Sequence, residues 1–147
     1  MKVQLTGIEI WQAAMVGIAR RIDSKKKHLS NKAPTDSQWQ LDIEGALAEM
    51  ALGKALGIYA GLTIGNYGGT DVGQYHVRYS PLSNACLIIR PDDSIEGCYV
   101  LVTGLEGDYL VHGYIHGADA RQKEWWKAPN DRPGAWFVPQ TALTEFI

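Results

Sequence analysis

Cysteine is scarce in this 147-residue chain: it has two, Cys86 and Cys98, with no paired ligand spacing of the C-x-x-C kind. A disulfide framework therefore has no basis, and both thiols, set in or beside apolar strand-like segments, read as buried and free rather than as zinc ligands. Long apolar runs are missing too. Nothing approaches the roughly 18 residues that a bilayer-crossing helix needs, and the start Met1-Lys2-Val3-Gln4-Leu5-Thr6 has no apolar signal core. The sequence thus predicts a cytoplasmic protein with no membrane partner. Nor is there an excess of one charge: 14 Lys and Arg against 16 Asp and Glu leave a net −2. The molecule as a whole is not drawn to a polyanion, so any nucleic-acid affinity must come from local patches. Internal repeats and a Ser or Cys nucleophile pattern are also lacking, and Gly65-x-x-Gly68-Gly69 has neither the Lys nor the helix of a phosphate-binding loop.

What is present is ordinary globular material, 46% hydrophobic and 20% charged, long enough for one domain over 1–147 to bury a core. Ile8, Trp11, Met15, Ile18, Ala19 and Ile22 recur at three- and four-residue steps and predict an amphipathic helix from about Thr6 to Ser24. Arg20, Arg21, Lys25, Lys26, Lys27 and His28 gather at its negative pole. After a polar loop over 30–37, a second helix begins near Asp36 or Ser37 and runs to Leu56, with Gly57 as its left-handed terminator. This helix is apolar nearly all round. Asp42, Glu49 and Gly53 share one narrow polar arc, while Glu44 projects among Leu41, Ala48, Ala51 and Ala55, where a carboxylate needs a partner. Beyond a Gly-rich stretch over 61–73, extended segments at 75–79, 86–90, 99–103 and 109–115 predict an antiparallel meander. A further helix over 118–126 and a closing strand at 136–138 complete an α+β (mixed α/β) chain, a mostly antiparallel or mixed sheet flanked by helices.

A metal-dependent phosphodiesterase needs hard oxygen ligands and a cation beside the scissile phosphate. Glu49 from the apolar helix, Asp71 from the end of the Gly-rich loop, and His76 with Arg78 from the first clear strand supply such a set. Strand alternation puts His76 and Arg78 on one face. Each residue also has a structural alternative: Glu49 as the exposed face of a helix, Glu44 as a buried acid paired with an Arg, Asp71 as a turn residue, and His76 and Arg78 as solvated strand positions. His112, Tyr114 and His116 share one strand face in this reading, without a third zinc ligand, and Asp92-Asp93 reads as a turn. For nucleic acid, the cluster Arg20, Arg21, Lys25, Lys26, Lys27 and the run Arg121, Lys123, Trp125, Trp126, Lys127 combine charge with aromatic surface. The paired tryptophans are equally a core or dimer contact.

The stretch Gly45-Ala46-Leu47-Ala48-Glu49, continuing to Leu56-Gly57, resembles the helix of Holliday-junction-resolvase-like and phage nuclease-like proteins of the PD-(D/E)XK superfamily. Asp71 followed by His76-Val77-Arg78 looks like the Asp … Glu-x-Lys signature of that group, and Tyr99-Val100-Leu101-Val102 and Gly113-Tyr114-Ile115 look like the strands that follow it. The resemblance covers roughly 42–126, and the ending Trp136-Phe137-Val138-Pro139-Gln140 is similar to that of small phage and bacterial members. It implies a restriction-endonuclease-like core of order α-β-β-β-α-β, a DNA substrate, and Mg²⁺ or Mn²⁺ held by Glu49, Asp71 and His76, with Glu44 as a second candidate. The chain departs from the signature at two positions. His76 stands where the group has Glu, a nitrogen donor that favours Mn²⁺ over Mg²⁺. Arg78 stands where it has Lys, and it can fork onto phosphate but cannot act as a base. Those departures also admit a catalytically silent nucleic-acid- or protein-binding scaffold on the same fold, including a homodimer that uses its tryptophan-rich C-terminal third as the contact surface.

Overall fold

The computed structural model describes residues 1–27, 37–65 and 68–147. Strand β1 (Lys2–Gln4) leads into helix α1 (Gly7–Lys26). Thr6 caps α1 through a reciprocal box: its side chain accepts from Glu9 N, and the Glu9 carboxylate accepts from Thr6 N at 2.7 Å. Helix α2 (Gln38–Leu56) starts on the Ser37 cap and stops where Gly57 turns left-handed at φ +65°. Both helices lie where periodicity put them; His28 and nearly all of the 30–37 loop fall outside the described residues.

Strands β2 (Tyr75–Ser80), β4 (Cys98–Leu105) and β5 (Asp108–His116) join β1 in a four-stranded sheet of order β1-β5-β4-β2. Strand β2 pairs with β4 in parallel, and the remaining pairs are antiparallel. A second sheet, order β3-β7-β6, collects Leu87–Ile89, Ala135–Val138 and Trp126–Lys127. The class is α+β with a mixed main sheet, but the segments 75–116 do not form a simple meander. The chain leaves the main sheet at Ser80, contributes β3 to the second sheet, and returns at Cys98 beside β2 in the same direction. No helix forms over 118–126. Arg121 binds the Gly117 and Asp93 carbonyls, a 3₁₀ turn covers Lys123–Trp125, and Trp126 continues as a strand paired with Trp136.

The helices cover one face of the main sheet and the second sheet covers the other, so two cores share β4. Val100 and Val102 point into the helix-side core with Ala46, Ala48, Leu52, Val72 and Val111. Tyr99 and Leu101 point into the other with Leu87, Ile89, Val138 and Leu143.

The two helices meet through their small residues. At Gly17 an added Cβ would stand 2.6 Å from Asp42 O and 2.8 Å from Ile43 N, so the backbones touch. The face of α1 that packs inward therefore runs through Ile10, Ala13, Gly17 and Arg21, while Ile8, Trp11, Met15 and Ile22 are exposed. The large apolar residues that announced the helix are not the ones that bury it.

Candidate functional site

The polar arc of α2 faces α1, not solvent. Glu49 is buried, and both its oxygens are held by the Arg20 guanidinium, Nη1 to Oε1 at 2.6 Å and Nη2 to Oε2 at 2.9 Å. Arg20 Nε donates to the Thr63 carbonyl at 2.8 Å, which ties the Gly-rich stretch to the same point. One arginine thus joins three segments, and its parallel fork is the geometry in which guanidinium and carboxylate bind best.

Burial raises the Glu49 pKa, and the nearby charge of Asp71 raises it further, against the opposing pull of Arg20. Burial also works against the charge of Arg20, but Glu49, with Asp71 and Asp42 beyond it, outweighs that and raises its pKa. The shared upward direction has opposite meanings: the arginine is firmly cationic, whereas the glutamate is ionised at a cost. Asp71 is fixed by its own turn. Its Oδ2 accepts from Val77 N at 2.7 Å and its N–H donates to Tyr75 O, so it is a turn residue whose charge is felt at Glu49.

His76 and Arg78 do not join this cluster. On β2, Tyr75, Val77 and Tyr79 pack toward the helices, so alternation sends His76 and Arg78 to the other face. There the His76 ring stacks on Tyr99 with centroids 4.9 Å apart, and the Arg78 guanidinium lies 4.9 Å over the same ring. Asp93, read as a turn residue, proves to be the Arg78 partner at 2.8 Å and also accepts from Arg90 N. Arg78 Nε is buried without a hydrogen-bond partner. Of the four residues expected to converge, Glu49 and Asp71 sense each other's charge, and the sheet lies between Glu49 and the other two. Among the described residues, no three of His, Cys, Asp and Glu come together as a metal cage.

Among the described residues, Glu44 has no arginine partner. It accepts a short hydrogen bond from Tyr109 OH and another from Glu106 N at 3.1 Å. Burial first, and then Glu44, push the Tyr109 hydroxyl pKa far up. The residue it holds matters: Glu106, with φ +55°, and Gly107, with φ +102°, form the two-residue turn between β4 and β5. Glu44 is therefore the clamp of a hairpin, and nothing places it near Glu49's oxygens.

The cationic cluster divides in the same way. Arg20 is occupied by Glu49, and Arg21 is 5% exposed, reaching Gln38 and Asp42. Lys25, Lys26 and Lys27 remain exposed, with Lys27 paired to Asp23 at 3.1 Å. His112 and His116 do not share a strand face. Leu101 pairs with Gly113 and Val102 with Val111, which makes His112 the inserted residue of a bulge, its Nε2 2.8 Å from Thr103 Oγ1. Cys98 is buried and Cys86 half-buried, both free.

Sequence reasoning missed Arg20 as the counter-charge of Glu49. Its signal was the polar arc itself, since an acid on a helix that is apolar nearly all round requires a cation from a neighbour. No helix among the described residues is long and apolar enough to cross a membrane. Comparison with protein-family models, with curated proteins and with solved structures returns no match to this chain.

Proposed function

We propose that this chain is a metal-dependent, nuclease-like protein that engages DNA, with Glu49 and Asp71 as the oxygen donors for Mg²⁺ or Mn²⁺. The observation that supports this reading is the Glu49–Asp71–Arg20 cluster, two acids against one fixed cation, with Glu49 buried at an energetic cost. Such a cluster carries a formal charge of −1, an excess of negative charge that a divalent cation would offset. The donors fit: Mg²⁺ is commonly held by one or two carboxylates, with water and substrate phosphate completing the shell. Bound there, the metal would supply Lewis-acid polarisation of a phosphate oxygen and a more acidic water. Arg20 holds Glu49 in place through both carboxylate oxygens. Lys25 and Lys26 in the last turn of α1, with Lys27 at its C-cap, add exposed positive charge one to two turns beyond Arg20. His76 and Arg78 contribute no ligand in this arrangement, which removes the nitrogen donor that favoured Mn²⁺.

The test is cleavage of plasmid and branched DNA with Mg²⁺ or Mn²⁺, comparing the wild type with Glu49→Gln and Asp71→Asn. Metal-dependent cleavage that drops on the order of 100-fold or more in both variants supports the assignment. Absence of cleavage with either metal, or cleavage indifferent to both substitutions, defeats it. A second reading, a binding scaffold without catalysis, is favoured by one observation: Arg20 already occupies both Glu49 oxygens. On that reading the protein binds DNA with an affinity that falls steeply with salt and is insensitive to metal.

A further inference from the structure

The residues that the sheet separates from Glu49 form a second cluster of their own. The His76 ring and the Arg78 guanidinium each lie 4.9 Å from the centroid of the Tyr99 ring. Arg78 Nη2 donates to Asp93 Oδ1 at 2.8 Å, and Arg121 Nη2 donates to the backbone carbonyl of the same Asp93 at 2.6 Å. Arg121 also lies 5.0 Å over the Trp136 ring. Tyr99, raised in pKa by burial first, feels the charges of Asp93, Arg78 and Arg121 together.

The charges in this cluster do not balance. Both Asp93 oxygens are engaged, Oδ1 by Arg78 and Oδ2 by the Arg90 N–H, so its one negative charge answers one arginine. Arg121 meets only carbonyls, those of Gly117 and Asp93, and has no acidic partner among the described residues. Donors are left over as well. Arg78 Nε is buried without a hydrogen-bond partner, and the half-buried His76 ring stacks on Tyr99 but hydrogen-bonds to none of the described residues. The Arg78 side chain keeps 27% of its surface open, so solvent reaches the cluster. An unsatisfied buried donor is costly, and an acceptor brought to it returns more than an ordinary hydrogen bond does.

We propose that His76, Arg78 and Arg121 form a phosphate-binding site whose ligand is a phosphomonoester dianion. Charge selects an anion: two guanidiniums and one carboxylate leave this cluster at +1, in a chain whose net charge is −2. Chemistry selects phosphate over carboxylate. The open donors sit on two side chains, Arg78 and His76, which suits oxygens spread tetrahedrally, whereas a planar carboxylate is held best by one free fork. The site lies across the main sheet from Glu49 and requires neither a metal nor the nuclease reading.

The experiment is proton–nitrogen NMR of the full chain, following the arginine Nε–H and histidine ring signals as inorganic phosphate is added at constant ionic strength. Saturable shifts are expected at Arg78 and His76, with a Kd of about 1 mM or tighter, and not at Arg20, whose Nε is already bonded to the Thr63 carbonyl. Arg78→Gln should weaken phosphate binding about 10-fold or more, the loss of one charge-assisted bond. His76→Ala should weaken it about 3-fold or more. That variant removes no hydrogen bond among the described residues, so it decides the question if Arg78→Gln loosens the Asp93 loop. Shifts that do not saturate, that acetate reproduces, or that keep the same Kd in folded His76→Ala overturn the proposal and leave the arginines as clamps of the 90–97 loop. A dinucleotide with and without a 5′-phosphate separates the two sources of ligand. Binding of the phosphorylated form alone supports a site open to a nucleic-acid end. Binding of inorganic phosphate but neither dinucleotide supports a site restricted to small phosphates, and equal binding of both dinucleotides overturns recognition of the monoester.

Discussion

Replacing Gly17 by Ala should loosen the protein and its candidate site together. The added Cβ would stand 2.6 Å from Asp42 O and 2.8 Å from Ile43 N, with the Ile43 Cα closer still. All three atoms are backbone of α2, so no side chain can swing aside, and α1 must retreat by about 1 Å to reach ordinary contact distance. Overpacking of this kind costs about 1–3 kcal/mol or more, and the better helix propensity of Ala returns up to about 1 kcal/mol. The net expectation is a loss of about 1–3 kcal/mol, or a fall of about 4–10 °C in Tm for a domain of this size. Gly45 provides the opposite control. It lies within α2 with nothing inside 4 Å of its added Cβ, so Gly45→Ala should stabilise by about 0.5–1 kcal/mol. The assay is equilibrium urea unfolding of the wild type and the two variants. Arg20 lies one turn beyond Gly17, so the same retreat draws its guanidinium away from Glu49, and any metal-dependent activity should fall with stability. A Gly17→Ala protein as stable as the wild type would refute the close contact and the reasoning built on it.

Removing the Glu44 carboxylate leaves the buried Tyr109 OH and the part-buried Glu106 N–H without their acceptor, so Glu44→Ala should cost about 1–3 kcal/mol in urea unfolding. Tyr109→Phe should cost about 1–3 kcal/mol, and the double variant less than the sum because the two share one bond; strict additivity would count against the clamp. The raised pKa of Glu49 sets a sign for pH. Its folded pKa exceeds the unfolded 4.5, so its contribution is fully present below that value and is lost as pH rises through the folded pKa. Stability of the wild type relative to Glu49→Gln should therefore fall as the pH rises from about 4 to about 7, a comparison that cancels carboxylates shifted the other way, such as Glu9 beside Lys54. A relative gain over that range would mean that Arg20 outweighs burial.

The elements were more legible than their partners. Thr6, Ser37 and Gly57 mark helix ends by local chemistry, and β5 alternates in burial as half-buried strands do. A period of two names a strand's faces but not its neighbour, so the parallel pairing of β2 with β4 and the departure of β3 to a second sheet were not readable. The same ambiguity misplaced His76 and Arg78: they do share a face, as alternation requires, but on the side of the sheet away from Glu49. Helix α1 misled differently. A count of large apolar residues finds the Trp11 stripe, whereas close packing was decided by Gly17 and Ala13, which contribute little hydrophobicity and much proximity. Over 118–126 the helical pattern lost to Arg121, which pins the turn, and to Trp125, which packs into the second core.

Before its last two residues, strand β4 has no outside. From Cys98 to Thr103 every residue is buried, with Val100 and Val102 against the helices and Tyr99 and Leu101 against the small sheet. Each half of the protein therefore has the same strand as its wall, and neither can melt while the other stays dry. The chain should unfold in one step, and its β4 amides should exchange only through global opening. For anyone trimming the chain, the second sheet is not a detachable appendage: without β7, Tyr99 and Leu101 would open to water, and the half that carries Glu49 would lose the back of its own sheet.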